Sequence, residues 1–146
     1  MKLSVRPLEQ ADLKDVFRIE ESCFPSAWTP AQFRRVLAAG NVRGFAVEAD
    51  GQTRGFYLVE SEPSHVRVLN LAVDPAIRRR GVAMFILGEI EAFAAAEGRR
   101  RVELEVRERN LAAQLLYRKA GYRAVEILRG HYGEEDGYLM RRIPAI

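Results

Sequence analysis

The sequence predicts an α/β fold, and three features of the 146-residue chain indicate it. Short runs of alternating apolar residues are followed by runs in which apolar residues recur at helical spacing, so strands and helices succeed one another. The pair Asp50-Gly51 between two apolar runs is a strong signal for a β-hairpin. A strand-helix-strand-helix order in the second half places the strand at 101–107 inside a sheet.

The first half of the chain is predicted to contain four strands and two helices. The strands are expected at 3–6, 42–48, 54–60 and 65–73. The first helix is expected from about Leu8 or Ala11 to Glu20, and the second at 30–40. Thr29 followed by Pro30 is typical of a helix start, with the hydroxyl as cap and proline in the first turn. The loop before it carries Phe24 and Trp28. These two side chains either cover the core, which is the commoner role of large apolar groups, or form part of a substrate wall.

In the second half, apolar residues at helical spacing predict a helix that begins at Val82 and stops before Gly98. The strand at 101–107 follows, and Asn110 then caps a helix that ends at Gly121. The last strands are expected at 122–128 and 137–140, on either side of a polar loop at 130–136.

The stretch 70–83 joins a strand to a helix through a short basic turn. A helix that begins just after Gly81 leaves its first N–H groups without intrahelical partners, with a partial positive charge at that end. Arg78, Arg79 and Arg80 stand directly before it. Together with the small residues Gly81 and Ala83, these features predict a site where a phosphate approaches the main chain. The alternative is an ordinary junction whose arginines are only solvated.

Composition and charge exclude several other classes of protein. Hydrophobic residues make up 48% of the chain and charged residues 29%, which is the balance of a globular protein. The N-terminus lacks the apolar run of a signal peptide and no segment is long enough to span a bilayer, so a cytoplasmic location is expected. One cysteine, Cys23, and two distant histidines, His65 and His131, predict no internal disulfide and no metal site. The net charge of +3 is only mildly basic and is compatible with an anionic cofactor, with ribosomal or nucleic-acid surfaces, or with none of these. The basic triplets at 78–80 and 99–101 lack the interleaved aromatics of a nucleic-acid stacking platform, so no direct nucleic-acid binding is expected.

The strand at 101–107 alternates cleanly, with Val102, Leu104 and Val106 on one face and Glu103 and Glu105 on the other. The polar face is either solvated and paired with arginines, or it lines a cleft in which one carboxylate acts as a base. The order of elements favours the second interpretation, because a strand between two helices normally lies inside the sheet.

Several motifs, taken in order, resemble the GNAT acyl-CoA N-acetyltransferases, and among them most closely the RimI-like ribosomal-protein-alanine N-acetyltransferases. The motifs are Leu71-Ala72-Val73-Asp74-Pro75, Arg78-x-x-Gly81-x-Ala83, Leu104-Glu105-Val106-Arg107, Asn110 and Leu116-Tyr117-x-x-x-Gly121-Tyr122. The resemblance covers nearly the whole chain. It implies a single GNAT domain over residues 1–146, with a central mixed, mostly antiparallel sheet of about seven strands splayed in a V and about four flanking helices.

The resemblance also implies roles for individual residues, with acetyl-CoA as the co-substrate and no metal. Glu105 matches the family's general base and Tyr117 the acid that protonates the departing thiolate. The cofactor contacts would be Leu71, Ala72, Val73, Arg78, Arg79, Arg80, Gly81, Val82, Ala83, Met84 and Asn110. The substrate contacts would be Phe24, Trp28 and Tyr132. Two positions depart from the family pattern, because Ala83 stands where a second glycine is usual and His131 where an aromatic residue is common.

Elementary chemistry favours a protein N-terminus as the acceptor. An α-amino group with a pKa near about 8 has a useful neutral fraction at neutral pH, whereas a lysine near about 10.4 has less than roughly a thousandth. A single carboxylate base, acting directly or through water, therefore suits an α-amine, such as that of a ribosomal protein. The alternatives are acetylation of a small amine and a non-catalytic acyl-CoA-binding module. A monomer or weak dimer without membrane contact is expected.

Overall fold

The computed structural model describes residues 1–143, and it contains seven strands and four α-helices within that range. The strands are β1 Leu3–Pro7, β2 Val42–Ala49, β3 Gln52–Ser61, β4 Val66–Val73, β5 Val102–Arg107, β6 Arg123–Tyr132 and β7 Glu135–Arg142. The helices are α1 Leu13–Cys23, α2 Pro30–Leu37, α3 Val82–Ala96 and α4 Leu111–Lys119, with short 3-10 turns at Gln10–Asp12 and Pro75–Ile77.

The strands form one mixed sheet in the order β1-β2-β3-β4-β5-β7-β6. β4 pairs in parallel with β5, whereas β1 with β2, β2 with β3, β5 with β7 and β6 with β7 pair antiparallel. A parallel pair needs a crossover between its strands, and α3 lies in that connection. The predicted fold class, a mixed and mostly antiparallel seven-stranded sheet with four helices, is therefore confirmed.

Contacts along the chain group into two compact units. The first unit comprises residues 1–60 and 69–86, and the second comprises 61–68 and the residues from 87 onward. The prediction of a single domain over 1–146 stays a prediction, and its last three residues lie outside the described range.

The core of the first unit is an apolar cluster built on α1, α2 and strands β3 and β4. Its buried members are Val16, Ile19, Phe33, Phe56, Leu58 and Ala72. Phe33 is completely buried, and its ring lies 5.6 Å from that of Phe17, 5.2 Å from Trp28 and 5.7 Å from Phe56. These aromatic contacts fix α2 and the loop before it against the sheet.

In the second unit, β5 is the central strand of its group, between β4 and β7. Its apolar face, Val102, Leu104 and Val106, is 0–4% exposed, as the alternation predicts. Leu87, Ile90 and Ala94 of α3, together with Tyr122 and Met140, are also buried in this unit. β5 is thus held rigidly, which matters for any side chain that it carries on its other face.

The predicted start of α2 and the predicted hairpin turn, both set by neighbouring residues, are present in the structure. Thr29 accepts a hydrogen bond from the Gln32 N–H at 3.2 Å, and the Gln32 side chain accepts one from the Thr29 N–H at 2.7 Å, so α2 begins with a capping box. Asp50 and Gly51 both have positive φ, 51° and 85°, as a two-residue hairpin turn requires.

The predicted polar loop at 130–136 is wrong. β6 continues to Tyr132 and β7 begins at Glu135, so only a tight turn containing Gly133, with φ 78°, separates them. The sequence did not predict these parts of the strands because their side chains are polar. β6 is exposed along most of its length, so it does not need the alternating apolar residues by which a strand is recognised. As a result His131 and Tyr132 lie on a strand, where Tyr132 pairs with Glu135 and His131 falls in the irregular stretch between Leu128 and Tyr132.

Candidate functional site

The turn after β4 is organised by the buried carboxylate of Asp74. Its Oδ1 accepts a hydrogen bond from the Ala76 N–H at 3.0 Å and so caps the 3-10 turn. Its Oδ2 accepts from Arg54 at 3.1 Å and Arg18 at 3.2 Å. Burial alone would raise the pKa of Asp74, but the bonds from Ala76, Arg18 and Arg54 outweigh it and lower the pKa. The carboxylate therefore stays ionised and fixes the path of the chain toward α3.

The start of α3 has the backbone of an anion site. Arg79 has φ 64° and Gly81 has φ 79°, so the chain makes two left-handed steps before Val82. The first N–H with an acceptor one turn earlier is that of Phe85, which donates to the Gly81 carbonyl at 3.0 Å. The amides just before it point out of the helix end, and no atom lies within 4 Å of a Cβ built on Gly81. This open, amide-lined turn fits a pyrophosphate.

The end of β4 offers main chain rather than side chains. Ala72 and Val73 are 3% and 9% exposed. A Cβ on Gly55 would lie 2.9 Å from the Ala72 carbonyl oxygen, so Gly55 permits the close approach of β3 to β4. The Cys23 thiol donates to the Val73 carbonyl at 3.2 Å.

A buried carboxylate that the sequence analysis did not single out, Glu20, ties three segments of the first unit together. It is 1% exposed. It accepts hydrogen bonds from the Trp28 N–H at 2.9 Å and from the Asn70 side-chain amide at 2.8 Å. Burial raises the pKa of Glu20, against these two hydrogen bonds. Glu20 thereby holds the loop between α1 and α2 against β4.

Phe24 and Trp28, predicted as either core lids or substrate contacts, both pack against the first-unit core. Both are only partly buried, so each also presents surface to solvent. The substrate contact stays a prediction.

In the second unit, Glu105 lies on the polar face of β5 and is bonded at both oxygens. Oε2 accepts a hydrogen bond from Nη2 of Arg67 at 3.0 Å, and Oε1 lies 2.9 Å from Nε2 of His131. The Glu105 side chain is 23% exposed, so water and substrate can still reach it. Glu105 is therefore held from two sides while its carboxylate stays accessible, and its role as the base stays a prediction.

The neighbouring carboxylate of Glu103 is used differently. It is 6% exposed and accepts hydrogen bonds from Arg101 at 3.3 Å and Arg141 at 3.4 Å. Its negative charge is thus neutralised by two guanidinium groups. The expected pairing with arginines therefore holds for both glutamates, and the role of Glu105 as a base stays a prediction.

Two further predicted residues of this unit lie at helix α4, Asn110 directly before it and Tyr117 within it. The Asn110 side chain accepts a hydrogen bond from the Ala113 N–H at 3.2 Å, so it caps the helix as predicted. Burial raises the pKa of Tyr117 to about 12, with a smaller contribution from Tyr132. The Tyr117 phenol is therefore protonated throughout the neutral range and can donate its proton.

Tyr132 lies at the end of β6 next to these groups. The Arg107 guanidinium stacks 4.3 Å from the centre of its ring, and the His131 ring meets it edge-on at 4.8 Å. Glu135 accepts from Arg107 at 3.1 Å and so fixes the cation. Burial raises the pKa of Tyr132.

The sequence analysis named Glu105 but neither of its partners as such. His131 appeared as one of two distant histidines and as a departure from the family pattern, and Arg67 was not named. Their contacts depend on the pairing of β4 with β5 and on the fold of the β6–β7 hairpin, which no local signal in the sequence specifies.

Within residues 1–143, none of the helices combines the length and apolar character that a bilayer crossing requires. The same residues contain no cluster of three or more His, Cys, Asp or Glu side chains suited to a metal ion.

Comparison with known proteins places these features in a family. Residues 13–122 match the model of the acetyltransferase (GNAT) family. The chain is 32% identical over 148 residues to N-alpha-acetyltransferase RimI of Mycobacterium tuberculosis, covering 96% of this chain and 92% of that protein. It is 26% identical over 134 residues to the ribosomal protein bS18-alanine N-acetyltransferase of Escherichia coli K12, covering 92% and 90%.

A solved structure supports the fold. The crystal structure of the ribosomal-protein-S18-alanine N-acetyltransferase from Escherichia coli superposes with a TM-score of 0.90 at 24% identity, covering 99% of this chain and 96% of that one. The predicted GNAT fold is thereby confirmed. Since the family model also spans most of the sequence, the chain belongs to the GNAT family and is an acetyl-CoA-dependent N-acetyltransferase.

Proposed function

We propose that the chain transfers the acetyl group of acetyl-CoA to the α-amine of a protein N-terminus, with Glu105 as the base and Tyr117 as the acid. The observation that carries the mechanism is the state of these two side chains within the second unit. Glu105 is held by two partners at 3.0 and 2.9 Å yet remains 23% exposed, and burial keeps the Tyr117 phenol protonated. One group can take a proton and the other can give one.

The acceptor is proposed from chemistry and from likeness. An α-amine with a pKa near about 8 needs only one modest base at neutral pH. The Mycobacterium tuberculosis relative is named an N-alpha-acetyltransferase, and the Escherichia coli relative is named for the alanine of ribosomal protein bS18. We therefore expect free peptide N-termini to be acceptors, with alanine at the first position as the leading candidate.

The co-substrate supplies an activated acetyl thioester, and the chain's own residues would bind it, stabilise the oxyanion and transfer the protons. In the first unit, the main chain at 71–73 would bind the pantetheine arm as an added strand, and the amides and arginines of 78–84 would bind the pyrophosphate. A main-chain N–H near Val73 would stabilise the developing oxyanion. In the second unit, Glu105 would remove the proton of the amine, Tyr117 would donate to the departing sulfur, and Asn110 would make a further cofactor contact.

The test is an acetyl-transfer assay that follows thiol release with peptides of free N-terminus, the same peptides blocked, and small amines. We expect transfer to the free peptides, and we expect Glu105→Gln to lower kcat/KM by about 100-fold or more, the usual contribution of a general base. Glu108→Gln is the matched control, because it removes an exposed carboxylate just after the same strand.

Transfer confined to small amines would contradict the proposed acceptor and leave the enzyme class standing. Equal rates for wild type and Glu105→Gln would instead remove Glu105 from the role of base. Tight binding of acetyl-CoA without transfer to any amine in the panel would contradict the proposal and favour a binding module.

A further inference from the structure

The two oxygens of Glu105 are held by different strands. Arg67, on β4, donates to Oε2 at 3.0 Å, and His131, on β6, meets Oε1 at 2.9 Å. An ionised carboxylate can only accept hydrogen bonds, so Nε2 of His131 carries the hydrogen in this contact. The side chain of Glu105 is therefore fixed from two directions.

We propose that His131 is a positioning residue for Glu105, which orients the carboxylate while its imidazole is neutral and withdraws that base when it becomes charged. The proposal rests on the proposed role of Glu105 as the base. It gives His131 a part in the reaction itself.

The positioning part follows from the geometry of a carboxylate. Each oxygen has two lone pairs, and Arg67 and His131 each occupy one. Removing the His131 contact would leave Glu105 bonded at one oxygen, free to rotate about its last torsion. Errors of about 1 Å in the position of a reacting group can reduce rates by roughly 100-fold.

The charge part follows from the groups around the imidazole. Glu105 of β5 contacts it directly, and the Arg67 guanidinium of β4 contacts the other oxygen of that carboxylate. Its own strand contributes Tyr132, whose ring carries the stacked Arg107 of β5, and Arg129, which pairs at 3.6 Å with Asp136 of β7.

Protonation of the imidazole would place a second cation beside the one carboxylate that Arg67 already contacts. Two cations stabilise the anionic form and so weaken its ability to take a proton from the amine. The His131 side chain is 38% exposed, so it exchanges protons with solvent directly. The catalytic rate should therefore fall when the imidazole of His131 becomes charged.

Two substitutions separate the two parts. His131→Gln keeps an N–H donor but cannot become charged, whereas His131→Phe removes the donor as well. The acceptor in both assays is an alanine-starting peptide or, if that is inactive, whichever amine of the panel the wild type acetylates. The matched control is His65→Gln, because within residues 1–143 the His65 side chain makes its hydrogen bond to the Ser64 hydroxyl alone, at 3.1 Å.

At about pH 8 we expect His131→Gln to keep a wild-type kcat and His131→Phe to lose about tenfold in kcat, without a change in KM for acetyl-CoA. The ratio of kcat/KM for His131→Gln to that of the wild type should rise as the pH is lowered from about pH 8 to about pH 5.5, because only the wild type can place a charged imidazole beside Glu105. This ratio cancels the ionisation of the acceptor amine, which both proteins share.

Circular dichroism and thermal unfolding establish that each variant is folded before rates are compared. A ratio that stays constant from about pH 8 to about pH 5.5 while Glu105→Gln is inactive would overturn the proposed role of His131 and leave Glu105 as the base. Full activity of Glu105→Gln would overturn the base itself and with it the positioning role. A pH dependence of the ratio that His65→Gln reproduces would also count against His131.

Discussion

Removing the Asp74 carboxylate should destabilise the first unit by an amount that its three hydrogen bonds allow us to estimate. The bond from the Ala76 N–H at 3.0 Å is a helix-cap interaction, worth about 1 kcal/mol. The arginine bonds are at 3.1 and 3.2 Å, but the side chains of Arg54 and Arg18 are 33% and 49% exposed. Solvent screening reduces each of these to about 0.5 kcal/mol.

We therefore expect Asp74→Ala to lower the free energy of unfolding by about 2 kcal/mol. Asp74→Asn retains the oxygen that faces Ala76 and should lose only about half of that amount, the arginine contribution. Urea denaturation followed by circular dichroism measures both values. Asp15→Asn is the matched control, because Asp15 makes only a 3.5 Å contact with Arg18 and both side chains are about half exposed.

The dependence on pH has a definite sign. The pKa of Asp74 is lowered in the folded state, so its contribution is fully present above the unfolded-state pKa of about 3.9. The contribution is lost as pH falls through the lower, folded-state pKa. The stability difference between wild type and Asp74→Asn should be constant between about pH 5 and pH 8 and should shrink below about pH 4.

Asp74→Ala should also weaken acetyl-CoA binding several-fold, because the turn that Asp74 caps leads directly into the start of α3. Isothermal titration calorimetry measures this dissociation constant. If Asp74→Ala proved as stable as Asp15→Asn, the idea that this carboxylate fixes the turn would be refuted.

Three further predictions concern Tyr117, Gly55 and Glu20. Tyr117→Phe should lower kcat by about tenfold to 100-fold with little change in KM. Because the pKa of the Tyr117 phenol is raised to about 12, wild-type activity should show no loss from phenol ionisation below about pH 10. Steady-state kinetics measured against pH test both points. Gly55→Ala should lower the free energy of unfolding by about 1–3 kcal/mol, measured by thermal unfolding, since the new methyl would lie 2.9 Å from the Ala72 carbonyl oxygen. Gly88→Ala is the control and should be neutral or stabilising, because nothing lies within 4 Å of the added methyl. Because the pKa of buried Glu20 is raised, the contribution of Glu20 to stability is greatest below its unfolded-state pKa and is lost as pH rises through its folded-state pKa. The stability of the wild type relative to Glu20→Gln should therefore fall from about pH 4 to pH 7. A stability difference that stays constant over this range would contradict the raised pKa of Glu20.

Local signals in the sequence predicted those parts of the fold that local chemistry determines. The Thr29-Pro30 start of α2, the Asp50-Gly51 hairpin and the cap at Asn110 are each set by residues within four positions of one another. The alternation of β5 was equally direct, because its apolar face is buried almost completely.

What the sequence could not predict were contacts between distant segments. Glu20 meets Asn70 across 50 positions, and Glu105 meets Arg67 across 38. Each contact requires the register of the strands, which depends on the sum of all pairings in the sheet. A buried charge such as Glu20 also resembles an ordinary exposed helix residue until its neighbours are known.

The exposed strand β6 has a consequence for how this protein behaves at high concentration. It stands at one end of the strand order, and among residues 1–143 it is paired with β7 alone. A free strand edge is a template on which other chains can add, and exposed Val125 and Ile127, at 47% and 52%, increase that risk.

Irregularity and charge reduce this hazard in β6. The register shifts between Ala124 and Glu126 and again between Leu128 and Tyr132, so the edge is not a regular ladder. Arg123, Glu126 and Arg129 add exposed charges along the same strand. Engineering that regularised β6 or replaced these charges with β-branched residues would favour intermolecular strand addition and aggregation, even though no catalytic group had been altered.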